Sequence, residues 1–150
     1  FRPPPPLPER PGAVRVAGSI TAMYTVLVDG DDHNEPVADA VRSILDGHFV
    51  LSRDLASQNH YPPIDILQSV SRTMPDVTEP AHRQKAAQVR EWMAAIRDSE
   101  DLVSVGAYVE GSNPRIDEAR GKRDAIDAFL CQSADTLCGF PDAVAQLGSL

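Results

Sequence analysis

Arg72 closes the stretch YPPIDILQSVSR, residues 61–72, and its placement raises the first chemical question of this sequence. A guanidinium is a planar fork of donors that grips an oxyanion through two parallel hydrogen bonds. Such a grip needs a fixed position. The residues before Arg72 are suited to supply one: Tyr61 and two prolines lead into Ile64, Ile66, Leu67 and Val70, an apolar run that can pack as a strand. On these residues alone a second reading stays open, a surface arginine that merely ends a strand.

Other groups with reactive side chains fit known chemistry less well. Asp29, Asp31, Asp32 and Glu35 cluster as a cation site might, but an EF-hand loop begun at Asp29 would need oxygen ligands, glycine and glutamate where His33, Asn34 and Ala40 stand. A solvated turn is expected there. His33, His48, His60 and His82 have no ligand spacing, so no metal is assigned to the chain. Cys131 and Cys138 stand seven residues apart without a second cysteine pair or a nearby histidine. They are expected to be buried, reduced thiols and not a zinc site. No Gly-x-Ser-x-Gly, Cys–His or GxxxxGK[ST] pattern occurs, so this stretch of chain holds no complete active site.

The elements that must position Arg72 are readable in outline. Residues 1–17 hold six of the 13 prolines and are expected to be irregular, a linker or polyproline segment. GSITAMYTVLVDGDD carries a continuous apolar run, as a strand buried on both faces of a parallel sheet would, and ends on a turn signal. Asn34 is placed to cap a helix with Val37, Val41, Ile44 and Leu45 on one face and Gly47 as its stop. HFVLS reads as a second strand, completing a strand–helix–strand unit. Beyond Pro75 the pattern turns helical. Between Ala81 and Ile96, Val89, Trp92, Met93 and Ile96 share a face, leaving Arg83, Lys85, Arg90 and Glu91 to solvent. Two further helices are expected in NPRIDEARGKRDAIDAFLCQ and PDAVAQLGSL, broken at Gly111 and Gly139. The sheet is thus expected to end near residue 77.

Composition sets the outer limits. A chain of 150 residues with 42% apolar content can bury a sizeable core. Its net charge of -8 does not attract nucleic acid or anionic lipid, so no nucleic-acid partner is expected. No run approaches the length of a membrane span. The absence of an initiator Met and of a signal peptide leads to the expectation of a piece of something longer.

GSITAMYTVLVDGDDHNEPVADAVRSILDGHFVLSRDLA followed by HYPPIDILQSVSRTMPDV closely resembles the ATPases of bacterial type III secretion and flagellar export, relatives of the catalytic subunit of the F-type ATP synthase. The resemblance runs from Gly18 to about Val77 and continues more weakly through VSVGAYVEGSNPRIDEARGKRDAIDAFLCQ. It implies an α/β fold: the C-terminal part of a RecA-like P-loop ATPase core over 18–77, then a small all-α C-terminal domain over 78–150. It implies a hexameric ring with ATP between subunits, in which Arg72 matches the arginine finger acting on the neighbour's γ-phosphate. Tyr61 matches the aromatic against adenine; a packed loop tyrosine is the second, less favoured reading. ATP and Mg2+ would be cofactors of the full-length protein, neither fully bound by this chain. Implied partners are further copies in the ring, export chaperones, secreted proteins, and the stalk and stator proteins of the export apparatus. The implied location is cytoplasmic, peripheral to the inner membrane.

Residues 1–17 depart from the family, whose helix ending in a motif like LLERAG is replaced here by PPPPLPERPG. Two functions remain to be separated: an ATPase subunit of a type III secretion or flagellar system, and a non-catalytic fragment binding partners through its helical half. The isolated chain is expected to be inactive in either case, because it lacks the phosphate-cradling loop.

Overall fold

The computed structural model describes residues 12–13, 18–28 and 36–150, and the chain divides into two compact units, Phe1–His48 and Phe49–Leu150. Of the proline-rich segment only Gly12 and Ala13 are described. The cluster Asp29, Asp31, Asp32, Glu35 and the expected cap Asn34 lie outside the described residues.

In the first unit, β1 (Gly12–Ala13) pairs antiparallel with β2 (Ser19–Ile20), Gly12 opposite Ile20 and Ala13 opposite Ser19. The run after β2, expected to be a strand buried on both faces, has no strand pairing from Thr21 to Val28, and Met23 and Leu27 are 83% and 91% exposed. A central strand takes its stability from neighbours on both edges and helices on both faces. Among the described residues, none is laddered to this run. The expected helix forms as α1 (Pro36–Ile44), with Pro36 at its first position, where a missing N–H costs nothing. Ala38 is buried, whereas Ile44 on the expected stripe is 58% exposed. Gly47, expected as the helix stop, instead opens β3 (Gly47–Leu51).

The second unit places β4 (Ile64–Ser71) beside β3 in a two-stranded sheet. Between them lies α2 (Arg53–Ser57), capped by the Ser52 hydroxyl, which accepts from the Leu55 N–H at 3.3 Å. After β4 the chain is helical: α3 (Met74–Val77), α4 (Pro80–Ser104), α5 (Pro114–Leu130) and α6 (Phe140–Ser149). Helix α4 packs on α5, α6 and β4. Its buried Val89, Trp92 and Ala95 meet Ala119 and Ile126 of α5 and Leu147 of α6, with Met93 and Ile96 partly buried against them. Ala119 is fully buried, a small residue where two helices approach closely. Trp92 keeps its indole N–H satisfied by Glu118 at 3.2 Å.

The α4–α5 connection is tied by side chains. Asp117 accepts from the Tyr108 hydroxyl at 2.8 Å and from the Gly111 N–H at 3.0 Å. Gly111 adopts φ 86, a conformation that favours glycine, so the break expected there has a backbone cause. Asn113 caps α5 by accepting from the Arg115 N–H at 3.1 Å. Cys131 and Cys138, expected to be buried, are exposed and free. They fall in the irregular segment between α5 and α6, which no helix covers. Among the described residues no helix is long and apolar enough to cross a membrane.

Candidate functional site

Arg72 follows directly on Ser71, the last residue of β4, and is exposed. What surrounds it is a series of short ties. The Ser71 hydroxyl accepts from the Met74 N–H at 3.2 Å, and the Thr73 carbonyl accepts from Asp76 and Val77, so the chain turns immediately into α3. Arg83 of α4 reaches back to the carbonyls of Pro75 at 2.7 Å and Thr78 at 2.5 Å. Arg72 therefore sits between a strand end and a cross-braced turn.

The strand itself is held just upstream. Arg90 of α4 donates from Nη1 to the carbonyls of Ile66 at 2.5 Å and Ser69 at 3.2 Å, and from Nη2 to the carbonyl of Leu67 at 3.2 Å. The Ser69 hydroxyl, in a residue only 9% exposed, donates to the Asp65 carbonyl at 2.6 Å and accepts from the Val50 N–H of β3 at 3.0 Å. The Asp65 carboxylate accepts from the N–H groups of Leu67 and Gln68, each at 2.9 Å, and from the Gln68 amide at 2.7 Å. Hydrogen bonds to a charged donor or acceptor are about twice as strong as neutral ones, so residues 65–69 are tightly fixed. Arg83 and Arg90, expected to be solvated, are turned onto main-chain carbonyls instead.

Tyr61 lies at the other end of β4. Its side chain is 51% exposed, the Tyr61–Pro62 peptide is cis, and its carbonyl accepts from the Gln132 N–H just past α5 at 2.8 Å. The loop around it is pinned: Ser52 donates to the Pro63 carbonyl and His60 to that of Leu55, at 2.8 and 2.9 Å. A cleft of about 420 Å³ opens next to this loop, lined in part by His60, Pro62, Ile64, Phe129 and Gln132. Tyr61 lies three residues before β4 and Arg72 directly after it, so the two stand at opposite ends of one braced element. Among the described residues, no group of three or more His, Cys, Asp and Glu could hold a metal ion.

Sequence reasoning missed Arg90, Arg83, Asp65, Ser69 and Gln132. One signal was available for the two arginines: they stand seven residues apart, two turns along one helix face.

Comparison with known proteins bears on the family and fold of the chain. Residues 2–71 match the model of the ATP synthase alpha/beta family nucleotide-binding domain, and residues 78–149 match the type III secretion EscN ATPase C-terminal domain. The chain is 49% identical to the flagellum-specific ATP synthase of Treponema pallidum over 97% of its own length and 32% of that protein's. It is 52% identical to the SPI-2 type 3 secretion system ATPase of Salmonella typhimurium over 81% of its length and 28% of that protein's. The solved structure of assembled EscN from enteropathogenic E. coli superposes with a TM-score of 0.83 at 42% identity, covering 88% of this chain and 32% of EscN. EscN in complex with its central stalk EscO gives 0.84 at 40% identity, over 94% and 33%. The fold is thus that of a RecA-like member of the ATP synthase alpha/beta class, with a helical C-terminal region. More narrowly, the chain belongs to the family of type III secretion and flagellar export ATPases, and it spans about a third of the length of the relatives it matches.

Proposed function

We propose that this chain is the arginine-finger side of an ATP-hydrolysing subunit of a type III secretion system, working in a hexameric ring. Residues 18–77 would be the end of the nucleotide-binding core and 78–150 the helical domain; the start of α4 at Pro80 supports that division. The observation that carries the reading is Arg72: an exposed guanidinium at the end of a strand anchored on both sides. In phosphoryl transfer negative charge spreads over the equatorial oxygens of the transferred group, and a placed arginine stabilises it. Tyr61, at the opposite end of β4, stacks its half-exposed ring on the adenine of the subunit's own ATP. Their places at opposite ends of β4, Tyr61 before Ile64 and Arg72 after Ser71, support separate nucleotides for them, one within the subunit and one across the ring interface.

Mg2+ would be held with the β- and γ-phosphates by the parts of the full-length protein that carry the phosphate loop, so the 150-residue chain alone does not turn over ATP. The hydrolysis cycle drives release of export chaperones and of their secreted proteins, which dock on the helical half together with the stalk and stator proteins. The subunit works in the cytoplasm at the inner membrane. The alternative occupant of the same role is a flagellar export ATPase, since the chain is similarly close to the Treponema pallidum protein at 49% and to the SPI-2 protein at 52%; restoring secretion or motility in a strain lacking one ATPase separates the two.

In the full-length ring, Arg72→Ala lowers hydrolysis by ~10³-fold or more, the scale of arginine fingers, and leaves nucleotide binding by a single subunit nearly unchanged. Mixing Arg72→Ala subunits with subunits lacking the phosphate-loop lysine restores part of the activity if the finger acts across the interface. Near-normal hydrolysis by Arg72→Ala, or no recovery in rings verified as mixed, overturns the reading.

A further inference from the structure

We infer that Arg90 is a positioning residue for Arg72, holding β4 in the shape that sets the finger; this rests on the reading of Arg72 given above. In a regular strand, neighbouring carbonyls point to opposite edges and are met by partner strands. Here the carbonyls of Ile66, Leu67 and Ser69 all receive hydrogen bonds from one guanidinium. Carbonyls of adjacent residues converge on one donor group only where the strand departs from the regular pleat.

The same five residues show that departure independently. The Asp65 carboxylate takes the N–H groups of Leu67 and Gln68, and the Ser69 hydroxyl folds back to the Asp65 carbonyl. The bend is therefore closed by side chains: Asp65 and Ser69 from within, Arg90 from α4. Removing Arg90 takes a charged donor from three carbonyls at once. Backbone groups left without partners in a partly buried place are costly, so β4 would relax toward other geometry. Arg72 stands three residues beyond Ser69, and a change of direction at 66–69 is carried straight to its guanidinium. A displacement of about 1 Å at a catalytic group can cost ~100-fold in rate.

The alternative is that Arg90 only fastens the helical half to the strand. The two are separated by a cycle of variants in the full-length ATPase, checked for ring assembly. Arg90→Gln is expected to lower kcat by ~10–100-fold with KM and nucleotide affinity changed no more than a few-fold. Arg90→Lys keeps the charge but offers a single nitrogen where the guanidinium applies two, and is expected to stay impaired. If Arg90→Gln fails to assemble, Arg90→Lys carries the same measurement. In an Arg72→Ala background the Arg90 substitution is expected to cost almost nothing more, because its effect passes through the finger. Equal losses in both backgrounds, or a fall in unfolding temperature with kcat preserved, overturn the inference. Should Arg72→Ala itself keep normal turnover, the finger reading fails first, and that result is visible in the same series.

Discussion

The main-chain N–H of Gln132 donates to the main-chain carbonyl of Tyr61 at 2.8 Å. A residue just past the end of α5 thereby holds the loop that precedes β4, while Arg90 of α4 holds the strand's middle. The segment 61–72 is fastened to the helical half at two places, and a side-chain change at Tyr61 leaves the first of them intact.

That independence makes Tyr61 a clean probe. Tyr61→Ala is expected to weaken nucleotide binding by the full-length protein by ~1–3 kcal/mol, the range for a base stacked on an aromatic ring. Tyr61→Phe keeps the ring and is expected to bind nearly as wild type. A titration with a fluorescent nucleotide distinguishes them; equal losses in both variants would assign the effect to the hydroxyl.

The core supplies a stability prediction. Ile126 is 2% exposed between α4 and α6, so Ile126→Ala is expected to cost ~2–5 kcal/mol. Val105 is 75% exposed, and Val105→Ala is expected to stay within ~0.5 kcal/mol. Trp92 is the one tryptophan of the chain and lies in that core. Its fluorescence in a denaturant titration reads both variants. Similar midpoints for the two would place Ile126 outside any cooperative core.

Tyr108 gives a prediction in pH. Burial first, and then the hydrogen bond to Asp117, hold its phenol above the ordinary value of 10.0. A raised folded value means the fold favours the neutral phenol. The stabilisation is fully present below the unfolded value and is lost as pH rises through the folded one. The difference in absorbance titration between wild type and Tyr108→Phe isolates this group and should show a midpoint above 10. In Asp117→Asn the midpoint is expected to move down, since the carboxylate's charge and strongest acceptor are gone. A midpoint unmoved by Asp117→Asn would remove Asp117 as a cause.

The parts of the fold legible in the sequence were those fixed by local pattern. Val89, Trp92, Met93 and Ile96 recur at helical spacing, and they form the inner face of α4. Ile64 to Val70 read as a strand ending at Arg72, and β4 ends one residue before it. Met23 to Val28 failed because a run buried on both faces is defined by its neighbours, and none of the described residues ladders to it. The two cysteines failed for a related reason: thiol burial depends on what covers an irregular segment, which composition does not encode. The partners of Arg90 were illegible because they are main-chain carbonyls 21 to 24 residues away in sequence. Main-chain carbonyls look the same at every position. Only the folded chain turns three of them, those of Ile66, Leu67 and Ser69, toward a single cation.

Helix α4 runs unbroken for 25 residues, about 37 Å at 1.5 Å per residue. Arg90 lies near its middle, and Ser104 lies about 21 Å beyond that hold by the same rise. In mechanical terms the helix is a lever whose fulcrum is a hydrogen-bonded cation. A tilt of about 5° over that arm carries the Ser104 end by roughly 2 Å, while the hold itself only rotates. On the inference drawn for Arg90, a load on the Ser104 end that turned α4 against its packing on α5 and α6 would reach β4 as torque through the Arg90 hydrogen bonds.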